Sequence, residues 1–262
     1  MPKALLVNQS AVKSGGMIEV WIYSEPIAIR LEKQTRVIGN FLLKATKDDI
    51  DRVKKKNALE SYNSFLRLVV ANFGNNRAKF ITLTFEDTTE FDITDVEKCN
   101  HVFQLFIKRL RGAYGNKFRY LVTIEFQDKN NRNAVHYHMI ADLPYIKNNE
   151  FNKIWGLGYT QIRSVKNSKQ SAVYVGKYMR KGLIDDRLNG KKKYWGSKNL
   201  LRPKELYNNN VNRLLDAFPG KEKYSENCYF SEYHHGYITY AKYFIDDDSL
   251  TYDYYNIKTS CF

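Results

Sequence analysis

No apolar run in this 262-residue chain approaches the length that spans a bilayer, so a membrane span is not expected. The opening residues, Met1-Pro2-Lys3-Ala4, lead into no apolar stretch with a small-residue cleavage site, and no secretory leader is expected. Cysteine is scarce. Cys99, Cys228 and Cys261 are odd in number and scattered, with neither metal-ligand spacing nor a disulfide framework, which points to a reducing cytoplasm. There is no Gly-x-x-x-x-Gly-Lys-Ser/Thr loop, which excludes a built-in helicase of the P-loop kind. Internal repeats and long low-complexity linkers are also missing. Acidic residues are scarce in one place above all. Between 160 and 204 there are 13 basic side chains and only Asp185 and Asp186 to oppose them.

What is present is positive charge and aromatic side chains. The formal net charge is +14, and aromatics make up 15% of the chain, with 20 Tyr and 15 Phe. Such an excess of charge argues for a polyanionic partner, nucleic acid first. The balance reverses at the end, where residues 222–262 hold three basic side chains against seven acidic ones. Lysine-rich loops that merely keep a protein soluble are the plain alternative. The basic block, however, also contains the best catalytic candidate. At 43% hydrophobic the chain has enough apolar side chains to bury a core.

Hydrophobic periodicity predicts strands at Met17–Tyr23, Lys79–Phe85, Arg119–Phe126, Ala134–Ala141 and Gly158–Val165, with one or two more between Tyr229 and Ile245. It predicts helices from Asp48 to about Phe73, with Ile50, Val53, Leu59, Tyr62, Phe65, Leu66 and Val69 roughly at helical spacing, and from Asp95 to Arg111. Gly74 and Gly112 are the expected stops. Shorter helical stretches are expected at Pro144–Trp155 and Ser171–Lys181. The turn-rich 128–133 connector makes a hairpin of the strands on either side. The expected class is α+β, a central antiparallel sheet with helices packed on it. Residues 1–74 read as an N-terminal strand and helix packed on a catalytic domain of residues 75–205, with 206–262 a Tyr-rich acidic extension.

The sharpest chemical feature is His136-Tyr137-His138. Two residues apart on a strand, both imidazoles point to one side while Val135, Tyr137 and Met139 point to the core. If the connector closes symmetrically about Asn130 and Asn131, paired residues sum to 261 and Glu125 falls opposite His136, close enough to share an ion. Val122, Ile124 and Phe126 then take the core side, with Thr123 and Glu125 outward. Two imidazoles and a carboxylate on an open face leave coordination positions for water and substrate, as a catalytic ion requires. An ordinary Glu–His surface pair is the plain alternative. In Tyr174-Val-Gly-Lys177-Tyr178, helical spacing puts Tyr174, Lys177 and Tyr178 on one side. A tyrosine can act as a covalent nucleophile, but its phenol needs help to ionise, which Lys177 could give. Packing tyrosines on an amphipathic helix would look the same. Thr82 and Thr84 share one side of their strand, opposite Ile81, Leu83 and Phe85. His101, His234 and His235 read as surface or packing residues.

In this order, Phe80-Ile-Thr-Leu-Thr-Phe85, His136-Tyr-His-Met-Ile140 and Tyr174-Val-Gly-Lys-Tyr178 resemble the three motifs of the HUH endonuclease superfamily, specifically the initiators of rolling-circle replication in plasmids and phages. Glu125, in Thr123-Ile-Glu-Phe126, matches the acidic third ligand on the preceding strand. Tyr194-Trp-Gly-Ser-Lys-Asn-Leu200 is similar to a basic-aromatic segment that follows the tyrosine helix in bacterial initiators. The resemblance covers about residues 79–201. It departs from the family at Tyr137, where an aliphatic residue is usual, and the C-terminal part matches no known pattern. Tyr174 follows the His motif, as in initiators and single-tyrosine transposases, rather than preceding it as in conjugative relaxases.

The resemblance implies that Glu125, His136 and His138 hold Mg²⁺ or Mn²⁺, and that Tyr174 attacks a phosphate of single-stranded or hairpin origin DNA to form a 5′-phosphotyrosine. Lys177 would assist and Tyr178 would be a second nucleophile, a packing residue or a DNA contact. Thr82, Thr84, Arg180, Lys181, Lys191, Lys192, Lys193 and Lys198 are the expected DNA-binding residues. A separate helicase and the host polymerase would be partners. The rival readings are a single-tyrosine transposase or mobilisation nuclease of the same chemistry, and a non-catalytic DNA-binding regulator that keeps the fold.

Overall fold

A computed structural model describes residues 4–30, 46–73, 78–87, 91–165, 175–177, 181–182, 185–188, 190–220 and 222–245. The fold is α+β, with two antiparallel five-stranded sheets among the described residues. The chain divides into two compact units, one of residues 1–57 and 203–262, the other of residues 58–202. No helix among the described residues is long and apolar enough to cross a membrane.

The first unit joins strands from the N-terminal and C-terminal parts of the sequence in one sheet. Its strands are β1 (Ala4–Ser14), β2 (Met17–Arg30), β8 (Lys204–Tyr207), β9 (Lys223–Ser231) and β10 (Gly236–Phe244), in the order β8-β1-β2-β10-β9. Ala11, Ile18, Val20, Ala241 and Tyr243 face one side, where they bury Val211 and Leu215 of a short helix at Asn209–Asp216. The strand at Met17 is longer than periodicity suggested, and β1 was not foreseen. A register shift between Val7 and Gln9 interrupts its alternation, which hides the period of two that marks a strand.

The second unit is built on a sheet of β3 (Lys79–Thr84), β4 (Tyr120–Gln127), β5 (Ala134–Ala141), β6 (Thr160–Ser164) and β7 (Tyr194–Gly196), in the order β6-β3-β5-β4-β7. One face is largely apolar, with Thr160 of β6 a buried polar residue on it, hydrogen-bonded to Asn152. Ile81, Leu83, Val122, Ile124, Val135, Tyr137 and Met139 bury Phe103, Phe106 and Leu110 of α2 (Val96–Tyr114) and Phe151 and Trp155 of α3 (Asn148–Trp155). Asp95 caps α2 by accepting hydrogen bonds from the amides of Glu97 and Lys98. The helix runs three residues past the expected stop. Gly112 lies inside it with open space where a Cβ would be, and Gly115, at φ +79°, ends it.

The opposite face changes character along the strands. In the first row, Phe80, Ile140 and Leu121 stand side by side. They are buried with Phe65, Leu68, Val69 and Phe73 of α1 (Lys47–Phe73), together with Val165, Val175 and Leu200. In the second row Thr82, His138 and Thr123 align, and in the third Thr84, His136 and Glu125. Half of this face is therefore roofed by a helix and half carries polar side chains. Only the C-terminal half of α1 takes part. Ile50, Val53 and Leu59 are exposed, and the buried residues of the helix run from Phe65 to Phe73.

Candidate metal centre

The β4–β5 hairpin sets the register of the site. Asn130, Asn131 and Asn133 all adopt positive φ, which asparagine tolerates better than other residues with a Cβ. The loop closes symmetrically, and Glu125 pairs with His136. Arg132 ties the loop to the end of β3, donating to Gln127 Oε1 at 2.6 Å, to Asp87 Oδ1 at 3.0 Å and to the carbonyl of Phe85. Gly158 holds the far side. At φ +136° its absent Cβ would lie 2.4 Å from the amide nitrogen of Glu86, so no other residue fits that crossing.

One potential ligand atom from each of Glu125, His136 and His138 lies within 4.8 Å of the others. The rings of His136 and His138 are 4.7 Å apart. His138 Nε2 is 2.6 Å from Glu125 Oε2, a diagonal contact between the second and third rows. His138 is buried, against the expectation of an open face, because Phe80 stacks on its ring at 5.6 Å and the apolar row adjoins it. Thr82 Oγ1 lies 3.3 Å from His138 Nδ1, and Thr84 Oγ1 lies 3.0 Å from His136 Nε2. Each imidazole thus has a hydroxyl from the neighbouring strand that fixes its ring orientation. The three residues border an open cleft of about 720 Å³, which Gln161, Asp128, Lys181 and Asp185 also line.

The donor set fits a divalent ion: a carboxylate, two imidazoles, and space in front of them. Burial and the neighbouring His138 hold the His136 pKa down to about 4, so its imidazole is neutral and able to ligate at physiological pH. Burial opposes ionisation of Glu125, but hydrogen bonds from His138 and Lys181 outweigh it and bring the carboxyl down to about 2. Both groups have lower pKa values folded than unfolded. For His136 the unfolded chain binds more protons between about 6.5 and 4, and for Glu125 between about 4.5 and 2. The metal-free protein is therefore expected to lose stability as pH falls from about 6.5, first through His136 and then through Glu125. Melting temperatures measured from about pH 7 to about pH 4 check this, and His136→Gln should flatten the upper part of the curve. Equal slopes in both proteins would place the acid sensitivity elsewhere.

The structure brings together Glu125, His136, His138, Thr82, Thr84 and Lys181 from the residues predicted by sequence. Lys181, read as a phosphate contact, sits with Nζ 2.6 Å from Glu125 Oε1. The segment that carries it passes tightly over β4: a Cβ on Gly182 would lie 2.2 Å from the carbonyl oxygen of Ile124. Lys177 is exposed on a helical stretch whose Val175 is buried against α1. Tyr174, Tyr178 and Arg180 lie outside the described residues. Lys191, Lys192 and Lys198 are exposed, whereas Lys193 is half-buried and its backbone carbonyl accepts a hydrogen bond from Thr123 at 3.1 Å.

Some of the site was not anticipated. Arg187 donates to both carboxylate oxygens of Asp128, at 2.7 and 3.1 Å, and to both of Asp185, at 2.9 and 2.6 Å. Its guanidinium also lies 3.8 Å from the centre of the Phe126 ring. It fastens the 185–188 segment beside the hairpin. The only hint in the sequence was that Asp185 and Asp186 are the sole acids in a basic block. Tyr137, the departure from the family pattern, is fully buried. Its ring lies 4.7 Å from that of Phe103, and its hydroxyl donates to Asn100 Oδ1 at 2.8 Å. Asn100 on α2 supplies the partner that a buried phenol needs, which is how the larger residue is accommodated.

Residues 78–183 match the replication-associated protein ORF2/G2P family. The match supports a rolling-circle Rep-type protein. Its bounds take in β3 to β6 and the candidate ligands, and they end just beyond Lys181 and Gly182. No curated protein and no solved structure matches the chain.

Proposed function

We propose that this protein nicks and rejoins single-stranded DNA at a replication origin, with Tyr174 as the covalent nucleophile. The observation that carries the reading is the Glu125–His136–His138 cluster at the edge of an open cleft, within the segment that matches a replication-associated family. On this reading the chain would act as the HUH nucleases do that its motif order resembles. Glu125, His136 and His138 would hold a divalent ion, Mg²⁺ or Mn²⁺, which when bound polarises the scissile phosphate and offsets its charge. Thr82 and Thr84 keep the imidazoles oriented. The Tyr174 oxygen attacks phosphorus, the bond from phosphorus to the 3′ oxygen breaks, and that oxygen leaves as a 3′-hydroxyl after taking a proton. The 5′-phosphotyrosine retains the phosphoester bond, so the reverse attack by a 3′-hydroxyl rejoins the strand without ATP. Lys177 would offset charge on the phenolate or the phosphate, and Tyr178 would pack or contact DNA. Arg180, Lys191, Lys192, Lys193 and Lys198 would grip the backbone, making binding salt-sensitive. A separate helicase and a host polymerase would complete the replication system, in the cytoplasm.

The test uses a labelled pool of single-stranded oligonucleotides with Mn²⁺, assayed for a protein–DNA adduct that survives denaturant. The expected result is an adduct that disappears with EDTA and in Tyr174→Phe. An adduct that persists in the variant would move the nucleophile, with Tyr178 next in line. Tight DNA binding with no adduct from any oligonucleotide would favour a non-catalytic regulator. Cleavage confined to transposon-end hairpins would favour a transposase of the same chemistry.

A further inference from the structure

The carboxylate at the centre of the site is engaged at both oxygens. Glu125 Oε2 is 2.6 Å from His138 Nε2, and Oε1 is 2.6 Å from Lys181 Nζ. The two partners differ in freedom. The Glu125 and His138 side chains are only 13% and 3% exposed, whereas that of Lys181 is 64% exposed. Glu125 is therefore fixed in the sheet, and the lysine reaches it from solvent along a flexible stem. Its backbone is not free to drift, because the next residue, Gly182, is pressed against the carbonyl of Ile124, the neighbour of Glu125 on β4. A cation on a movable arm is thus anchored beside the one carboxylate of the ligand cluster. The other two acids of the cleft, Asp128 and Asp185, are bridged by Arg187.

We propose that Lys181 is a built-in competitor for the ion, which must displace its ammonium from Glu125 in order to bind. The inference rests on the reading of Glu125, His136 and His138 as metal ligands. Its physical basis is that a carboxylate oxygen engaged by an ammonium group at hydrogen-bond distance is not available to a second cation, and that an ammonium left nearby repels one. The arrangement disfavours weakly bound or singly charged ions and keeps Glu125 paired when the site is without metal.

The experiment is calorimetric titration of Mn²⁺ into the full chain as wild type, Lys181→Met, Lys181→Arg and Glu125→Gln, with thermal melts to verify folding. Methionine keeps most of the stem and removes the charge. Lys181→Met is expected to bind Mn²⁺ roughly two- to fivefold more tightly than wild type, the scale of releasing one partly exposed ion pair. Lys181→Arg should stay near wild type. An unchanged or weaker affinity in Lys181→Met, with wild-type binding abolished by Glu125→Gln, would overturn the lysine inference and leave the metal reading standing. Absence of Mn²⁺ binding in both wild type and Lys181→Met would overturn both.

Discussion

Glu125→Gln is expected to weaken Mn²⁺ binding by at least about a hundredfold and to lower nicking in step, and to make the metal-free fold somewhat less stable at neutral pH. The substitution is isosteric, so the loss is chemical. An amide carries no charge and offers one acceptor oxygen where His138 and Lys181 now take one each. Outer partners of metal ligands already cost about 10- to 100-fold when removed, and the ligand itself, as the only carboxylate in the cluster, should cost more. The Lys181 side of the pair is largely exposed and contributes about 1 kcal/mol or less, so the loss of stability comes chiefly from the buried contact with His138. Calorimetry with Mn²⁺ and a nicking assay, run against a denaturant melt, separate the two effects. Retention of wild-type affinity would remove Glu125 from the ligand set.

Tyr137→Ala is expected to cost about 3–5 kcal/mol of stability, the range for emptying a large buried aromatic site. The ring is fully buried and meets Phe103, Phe85 and Trp195, at 4.7, 6.1 and 6.0 Å between centres. Its neighbours in the chain are the two candidate ligands, so a cavity on the core side of β5 lets the strand shift and disperses the imidazoles on the other side. Tyr137→Phe isolates the hydroxyl. It should cost only about 1 kcal/mol, the loss of the hydrogen bond to Asn100. Denaturant melts of both variants check the pair of values. A loss under about 1 kcal/mol in Tyr137→Ala would show that this aromatic layer does not hold the strand in place.

The legibility of the site follows from where its information lies. His136 and His138 alternate with Val135, Tyr137 and Met139, and a strand buried on one side must put them on the other. The pairing of Glu125 with His136 followed from a short symmetric loop, since a hairpin's register is set by its turn. α2 was legible from its apolar spacing and from Asp95 at its start. Its end was not, because choosing between Gly112 and Gly115 depends on backbone φ and on open space beside the helix. The buried state of His138 was also illegible. It comes from residues 58–73 of α1 and Val175 roofing the adjoining row, and nothing in His-Tyr-His signals what lies above it.

By itself, then, the sequence determined the class of fold, the core side of β3, β4 and β5 and the identity of three candidate ligands. All of these rest on period and on contacts between near neighbours in the chain. Only the tertiary structure decided that strands from residues 4–30 and 204–244 share a sheet. It alone decided that Thr82 and Thr84 meet the imidazoles, that Arg187 bridges Asp128 and Asp185, and that Lys181 lies on Glu125. Each of those contacts joins side chains far apart in sequence or on separate elements. The spacing along a chain fixes direction within an element, but which elements meet depends on the burial of all of them together.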